Sequence, residues 1–174
     1  VALLTTLDPE DLGYVSDDLP PEILESVSRT LESRDRQAFE AAIQYDETQI
    51  GHHMTHEWVA VPETYTIQQV LADLRSRGEL SSQTDRLFVV DARHVLRGSV
   101  PLQTLLVTNP SQPVVGLAMP DTVTFVPLDQ VQQAASAFER YDLVSAPVID
   151  DRGKLVGRLT VDAVMDFVRQ EADL

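Results

Sequence analysis

Carboxylate side chains dominate the chemistry that this sequence offers. The 174 residues include 28 Asp and Glu against 13 Lys and Arg, which gives a formal net charge of −15. The excess is uneven: residues 1–50 carry 12 acids and 3 bases, residues 51–112 carry 6 and 5, and residues 113–174 carry 10 and 5. If the two acidic segments pack together, their carboxylates repel each other unless cations or protons intervene. The pattern indicates either a cation-dependent contact or a solvated, solubilising surface.

Other reactive groups are scarce. Cysteine is absent, so the chain has no disulfide, no thiolate metal site and no cysteine nucleophile. His52, His53 and His56 flank Met54 and would suit a soft metal if the segment were helical, but we favour a solvated linker. No phosphate-binding glycine loop or hydrolase motif occurs, so we do not expect an enzyme. The acidic charge opposes binding to nucleic acid or to an anionic lipid surface.

Residues 1–50 are predicted to form short helices. Pro20 and Pro21 stand where a helix can begin, because its first turn needs no N–H from them. A second helix is expected from about Ser33 to Tyr45, with an apolar side formed by Phe39, Ala42 and Ile43. Another is expected to start near residues 8–10. Three short helices bury little apolar surface, so this segment should lean on a neighbouring unit.

After Gly51, one order of predicted elements occurs twice. Each copy contains a strand that ends in proline, an amphipathic helix, two further strands or their equivalents, and a final helix. Matching features are offset by 64 or 65 residues early in the unit and by 59 residues later. The first copy therefore carries extra residues, which we place in the polar loop Glu79–Asp85. Two β-α-β-β-α units should pack into one body, because one unit alone leaves a sheet face uncovered.

Specific residues mark the two copies. Thr66 with Gln69, and Asp129 with Gln132, have the spacing of a helix capping box. Gly98 and Gly157 occupy equivalent positions. The strands are expected at 58–62, 87–91 and 95–100 in the first copy and at 123–127 and 146–150 in the second.

This repeat resembles the cystathionine-β-synthase (CBS) domain, which occurs in tandem pairs. The resemblance is carried by Met54-Thr55, Val59-Ala60-Val61, Phe88–Asp91 and Gly98 in the first copy, and by Met119-Pro120, Phe125-Val126-Pro127 and Ala146–Gly157 in the second. It implies an α/β (α+β) fold. A short all-helical segment, residues 1–50, would precede two CBS units at 51–112 and 113–174.

The first fifty residues narrow the resemblance. The segments Leu7–Leu12, Leu19–Glu22 and Tyr45–Thr55 are similar to those of the MgtE-type magnesium transporters, which join a superhelical N domain to a CBS pair. Residues 1–50 would then be the C-terminal part of that N domain. The resemblance implies a regulatory region at the cytoplasmic face of the bacterial inner membrane. Its implied partners are a second copy, bound through the CBS domains, and the plug helix and transmembrane domain of the same full-length protein.

The resemblance also implies a regulatory ligand, Mg²⁺, which holds a closed state when magnesium is plentiful. Carboxylates suit this ion, because Mg²⁺ takes oxygen ligands in near-octahedral geometry and usually keeps several waters. Carried over one position at a time, the candidate metal ligands are Glu10, Asp142, Asp166 and Glu171. The sequence departs from the family at four positions where the resemblance implies an acid but the chain has another residue: Tyr14, Gln130, Gln132 and Ala163. Acids that could compensate are Asp11, Asp17, Asp129 and Asp162.

Two other functions stay open. Some CBS pairs bind adenine nucleotides through a glycine, two hydrophobic residues, Ser or Thr, and an Asp three positions later, which holds the ribose hydroxyls. The second copy has Gly157 and Thr160 but Ala163 at the acid position, and the first has Pro101 in place of the hydroxyl. We therefore assign no nucleotide-binding residues. The other alternative is a ligand-free dimerisation module.

The chain also offers no membrane span of its own. Its apolar stretches are far shorter than the roughly 20 residues that cross a bilayer. It begins at Val1 rather than Met, so we expect a fragment of a longer protein.

Overall fold

The computed structural model describes residues 20–22, 33–120 and 123–173. A helix begins at Pro21, as the paired prolines predict. The helices that follow are α1 (Ser33–Gln44), α2 (Ile50–His53), α3 (Ile67–Arg77), α4 (Leu102–Val107), α5 (Val131–Tyr141) and α6 (Val161–Ala172). The strands are β1 (Ala60–Pro62), β2 (Arg86–Val90), β3 (Leu96–Pro101), β4 (Ser145–Ile149) and β5 (Leu155–Thr160). The α+β fold class predicted from the sequence is confirmed.

Strands β1, β2 and β3 form the sheet of the first repeat. β1 runs parallel to β2, with Val61 opposite Val89, and β2 runs antiparallel to β3, with Leu87 opposite Val100. These residues are fully buried, as expected for strands rich in β-branched and aliphatic side chains. Helix α3 begins at the predicted capping box, in which Thr66 accepts from the Gln69 N–H and the Gln69 side chain accepts from the Thr66 N–H.

The second repeat differs from the prediction at its first strand and its first helix cap. β4 and β5 pair antiparallel, but in the described part of the expected strand 123–127 only Phe125 pairs, forming a parallel bridge with Val148. The ladder cannot continue, because Val126 N–H donates to Asp129 Oδ2 (3.0 Å) and Pro127 has no N–H. The same bond occupies the Asp129 carboxylate. The predicted Asp129 cap is therefore wrong, and the N-cap residue of α5 has no side-chain cap bond.

The extra residues of the first repeat lie where the offsets predict. Helix α3 ends at Arg77 and β2 begins at Arg86, whereas α5 ends at Tyr141 and β4 begins at Ser145. We call Glu79–Asp85 the insertion loop.

The leading segment of each repeat crosses to the sheet of the other repeat. Thr55 exchanges two backbone hydrogen bonds with Arg158 of β5, at 2.8 and 3.0 Å, and Met119 exchanges two with Ser99 of β3, at 3.0 and 3.1 Å. The equivalent glycines allow this close approach. A Cβ on Gly98 would lie 2.6 Å from Met119 O, and a Cβ on Gly157 would clash with the side chain of Met54.

Helix α1 and the segment 45–56 pack against the second repeat. Ile50 and Met54 are buried in the same core cluster as Phe125 and Phe138. Ile50 N–H donates to Asp129 O at 2.8 Å. Two more backbone hydrogen bonds of the same length join Gly51 N–H to Pro127 O and Val131 N–H to Thr48 O. The interpretation of this segment as a solvated linker is therefore wrong, because its apolar positions complete a core. The prediction that the helical segment leans on a neighbour is confirmed for α1, whose Phe39, Ala41 and Ala42 are buried.

Candidate functional site

Helices α5 and α6 position the acids that the sequence singles out in the second repeat. Both helices are amphipathic, and Phe138 of α5 and Phe167 of α6 are buried in one core cluster. The two helices pack against each other. Helix α6 begins at Thr160, whose Oγ1 accepts from Ala163 N–H at 3.4 Å. Because the apolar faces of both helices are turned to the core, their acidic residues are left on the solvent side.

Asp142 ends helix α5 in a left-handed conformation. Its φ and ψ are 55° and 44°, and its backbone N–H donates to Phe138 O. Aspartate adopts this conformation more readily than most residues, because its short polar side chain bonds locally or to water. The side chain is exposed, and its carboxylate has no hydrogen-bond or ion-pair partner among the described residues. Asp142 therefore presents both oxygens to solvent.

Asp166 and Glu171 lie on the exposed face of α6. Asp166 Oδ1 is 3.6 Å from Arg169 Nη1, and these side chains are 68% and 72% exposed. Glu171 is also exposed and lies in the last turn of the helix. Glu10 falls outside the described residues, as do Tyr14, Asp11 and Asp17.

The donor chemistry of these acids fits Mg²⁺, but the described chain gathers few of them. Mg²⁺ is commonly held by one or two carboxylates together with waters, and Asp142 and Asp166 are exposed carboxylates on two packed helices. Across residues 33–120 and 123–173, no three His, Asp or Glu side chains are grouped so that they could hold a metal ion. Any site here therefore uses at most a pair of protein ligands from this part of the chain.

The positions that depart from the family are also placed. Gln130 and Gln132 are exposed near the start of α5, and Ala163 is half-buried in the first turn of α6. Asp162 is exposed beside Ala163 and keeps its carboxylate on the surface. Asp129, the other possible substitute, has one carboxylate oxygen committed to Val126 N–H.

A buried arginine joins the second repeat to the insertion loop. Arg158 is only 2% exposed. Its guanidinium donates from Nε to Glu57 O (3.1 Å), from Nη1 to Gln83 O (2.8 Å), and from Nη2 to Ser82 O (3.0 Å) and Ser81 Oγ (3.3 Å). Burial lowers the pKa of Arg158, while the neighbouring acids oppose that shift, so the group stays charged. The arginine thus binds the insertion loop to the second repeat.

The insertion loop makes two further contacts with the second repeat. Gln83, whose φ of 58° lies in the left-handed region, accepts from Asp162 N–H at 3.2 Å. Ser145 Oγ donates to Asp85 Oδ1 at 2.6 Å. The first N–H groups of α6, where a helix could bind a phosphate, thus all donate to acceptors within the chain, one of them the hydroxyl oxygen of Thr160. This arrangement argues against nucleotide binding at the N-terminus of α6.

A cavity of about 560 Å³ lies beside the insertion loop. Its lining is mostly polar, and the ring of Trp58 is half-buried there against the small cluster of Phe88, Val90 and Leu155. The expectation that Trp58 packs in the core is thus met only in part. The residues that line the cavity are Glu57, Trp58, Val59, Arg77, Glu79, Leu80, Ser81 and Ser82.

Two of the three histidines near Met54 fix the backbone of their own segment. His52 Nδ1–H donates to Tyr45 O at 2.9 Å, and His53 Nε2–H donates to Glu47 O at 2.6 Å. The ring of His53 also meets Phe167 edge-on. Helix α2 ends at His53, so His56 lies beyond it and does not share a helical face with His52. Burial lowers the pKa of both His53 and His56.

Sequence reasoning missed Arg158 and Gln83. The sequence does contain a signal for Arg158, because it is a charged residue within the otherwise apolar segment Leu155–Leu159. Such a residue in a central position indicates a buried partner. Nothing local identifies Gln83 as that partner, because the two residues are 75 positions apart.

No helix among the described residues is long and apolar enough to cross a bilayer. A CBS-domain family profile matches residues 114–170. Over 152 residues, 87% of this chain, the sequence is 33% identical to the magnesium transporter MgtE of Thermus thermophilus, and the chain spans 34% of that protein's length.

Solved structures of magnesium-transporter domains are similar to this chain over nearly its whole length. The cystathionine β-synthase pair domain of a protein described as a Mg²⁺ transporter of Shewanella oneidensis is 31% identical, with a TM-score of 0.81, and the match covers 97% of this chain and 98% of that one. The cytosolic domain of the Mg²⁺ channel MgtE, solved in complex with ATP, is 29% identical with a TM-score of 0.72, covering 95% of this chain and 77% of that one.

Proposed function

This chain belongs to the family of CBS-pair regions of MgtE-type magnesium transporters, and we propose that it is the magnesium-sensing regulatory region of such a transporter. In this proposal, Mg²⁺ neutralises carboxylates on the acidic segments 1–50 and 113–174, so that these segments close on one another and transport stops when magnesium is plentiful. The location at the cytoplasmic face of a bacterial inner membrane belongs to the proposal. So do the contacts with a plug helix and a transmembrane domain, and the absence of enzymatic activity.

The observation that carries the proposal is the contact between the two acidic segments. Helix α1, the described end of the first segment, packs with residues 45–56 on the second repeat. The negative charge of both segments is therefore brought onto one body. Carboxylates of the two segments that approach each other on this body would repel, and a divalent cation would relieve the repulsion at a lower cost than protonation at neutral pH.

Asp142 and Asp166 are the described residues proposed to hold the ion, and Glu171, at the end of α6, is proposed as a ligand of a separate ion, since no three acids are grouped in this part of the chain. Bound Mg²⁺ would supply positive charge and a preferred octahedral arrangement of oxygens, most of them water. We propose that Glu10 contributes from the N-terminal segment. The ion can shift the equilibrium between closed and open arrangements only by its difference in affinity for the two, so weak sites suit a sensor that must release its ion.

We also propose that the chain forms a homodimer through the two units at 51–112 and 113–174. The support comes from exposed apolar side chains on helices that frame the repeats. Leu106 and Val107 of α4 are 78% and 86% exposed, and Tyr141 and Met165 are exposed on α5 and α6. Apolar side chains concentrated on helix surfaces are typical of protein–protein contacts.

The proposal is tested by magnesium titration of the 174-residue chain with small-angle scattering and calorimetry. Mg²⁺ is expected to bind and to reduce the radius of gyration, and Asp142→Asn with Asp166→Asn should weaken binding by about tenfold or more, because two charged ligands are lost. Asp151→Asn is the matched control, since Asp151 is an exposed acid in a turn of the same repeat. Identical scattering in chelator and in saturating Mg²⁺ would contradict the proposal.

Adenine-nucleotide sensing is the second candidate function. The cavity beside the insertion loop favours it, because its volume of about 560 Å³ is that of a small-molecule site and Trp58 offers a ring for stacking. A structural relative was solved with ATP. Calorimetry with ATP and AMP separates the candidates. Heat with nucleotide but none with Mg²⁺ supports the second, and flat titrations with both leave a ligand-free dimerisation module.

A further inference from the structure

We infer that Arg169 is a resident cation that competes with Mg²⁺ for Asp166 and so raises the magnesium concentration at which the second repeat binds the ion. The inference rests on the proposed function, because it takes Asp166 as a Mg²⁺ ligand. Arg169 is not itself a ligand. Its role is to set the threshold of the sensor.

The geometry of α6 keeps Arg169 beside Asp166. The two residues are three positions apart, so they lie on the same helix face, and Arg169 Nη1 is 3.6 Å from Asp166 Oδ1. Arg169 is also in the last turn of the helix, where the carbonyl ends favour a cation. Both side chains are largely exposed, so a hydrated ion can reach the Asp166 carboxylate without any change in the packing of the helix.

The charge balance of α6 depends on this one residue. Within Val161–Ala172 the acids are Asp162, Asp166 and Glu171, and Arg169 is the only basic residue. Arg169 shares a helix face with Asp162 and Asp166, whereas Glu171, five positions after Asp166, lies on a different face. Removal of Arg169 therefore leaves a helix face with acids alone, directed to solvent.

The size of the effect follows from distance. An ion about 2.1 Å from the bonded Asp166 oxygen would lie within about 6 Å of the guanidinium nitrogen if the arginine stayed in place. Repulsion between +2 and +1 charges at that distance, in water at physiological salt, corresponds to about a threefold loss of affinity. If the arginine moves away instead, the ion pair is lost, which costs up to about fivefold. Either route weakens magnesium binding.

The test is calorimetric titration of the 174-residue chain with MgCl₂. Arg169→Gln is expected to bind Mg²⁺ about three- to tenfold more tightly than the original chain. Arg152→Gln removes the same charge from an exposed turn of the same repeat and should leave affinity within about twofold. Arg169→Lys keeps the charge and should also stay within about twofold. Circular dichroism should show unchanged helix content in all three variants, because each side chain is exposed.

A double-mutant cycle with Asp166→Asn identifies the route. If Arg169 acts through Asp166, the gain from Arg169→Gln largely disappears in the Asp166→Asn background. Unchanged affinity in Arg169→Gln, while Asp166→Asn alone weakens binding, overturns the inference and leaves the proposed function intact. Unchanged affinity in Asp166→Asn overturns the inference and removes Asp166 from the proposed ligands, whereas absence of Mg²⁺ binding by the original chain overturns both the inference and the proposed function. A gain of equal size in Arg152→Gln also overturns the inference, since it would show only a general charge effect.

Discussion

At the scale of single residues, Arg158 is the side chain on which the junction between the repeats depends most. One guanidinium satisfies three backbone carbonyls and a hydroxyl, and it is almost completely removed from water. Buried charge is costly unless it is fully hydrogen-bonded, and here every nitrogen has a partner.

Replacement of Arg158 by Met should destabilise the fold. The variant removes the charge but leaves the carbonyls of Ser82 and Gln83 without a donor, so we expect a loss of about 2–4 kcal/mol in the free energy of unfolding. Urea denaturation measures it. Arg152→Met, an exposed arginine in the same repeat, should change stability by less than about 0.5 kcal/mol. Equal stability of the two variants would contradict the role assigned to Arg158.

The histidines of the segment 45–56 predict a dependence of stability on pH. Burial lowers the folded-state pKa of His53 and His56 below the ordinary value of 6.5. The unfolded chain therefore binds more protons than the folded chain between these values, and stability is lost as the pH falls below about 6.5. Melting temperatures at pH 7.5 and 5.5 test this. His53→Gln should reduce the difference, whereas His94→Asn, at an exposed turn, should preserve it. Equal differences in all three proteins would refute the assignment.

At the scale of elements, the crossing of the second repeat's leading segment over β3 requires a glycine at position 98. Gly98→Ala would bring a Cβ within 2.6 Å of Met119 O, a backbone atom that cannot move without disturbing the pairing with Ser99. We expect a loss of about 1–3 kcal/mol in stability. Gly116→Ala is the control, because a Cβ there meets nothing within 4 Å. Thermal unfolding compares them, and similar melting temperatures would contradict the requirement.

The sequence predicted those elements whose signals are local. Periodicity and the capping box at Thr66 locate α3, and the offsets of the repeat locate the insertion loop. The prediction of a strand at 123–127 was wrong because the Asp129 side chain accepts a hydrogen bond from the backbone of Val126 instead of capping α5. Composition cannot distinguish these two uses of an aspartate.

The sequence could not predict contacts between distant segments. The pairing of Thr55 with β5 joins residues about a hundred positions apart, and the bonds from Arg158 to the insertion loop span 75 to 77. For the candidate site, the resemblance supplied Asp142, Asp166 and Glu171, but their exposure and the pairing of Asp166 with Arg169 come from the structure. Whether these acids bind the ion stays a prediction.

At the scale of the whole molecule, the second repeat is incomplete without residues at and just before the start of the first. Ile50 and Met54 belong to its core cluster, and Thr55 completes the edge of β5. A fragment of residues 113–174 would expose that core and lose the edge pairing, so we expect it to be unfolded or molten. A fragment of residues 33–174 should fold cooperatively. Near-ultraviolet circular dichroism and denaturant titration distinguish them, and a cooperative transition in the shorter fragment would disprove the dependence.

The exchange of leading segments also has a genetic consequence. Each repeat is finished by a piece of chain that its own coding stretch does not contain, since Thr55 serves the sheet of the second and Met119 that of the first. Recombination that transferred one repeat alone would leave behind the residue that pairs with the edge of its sheet. Shuffling that preserves folding must therefore move residues from about 45 to 173 together, because each crossing joins the backbones of two distant segments.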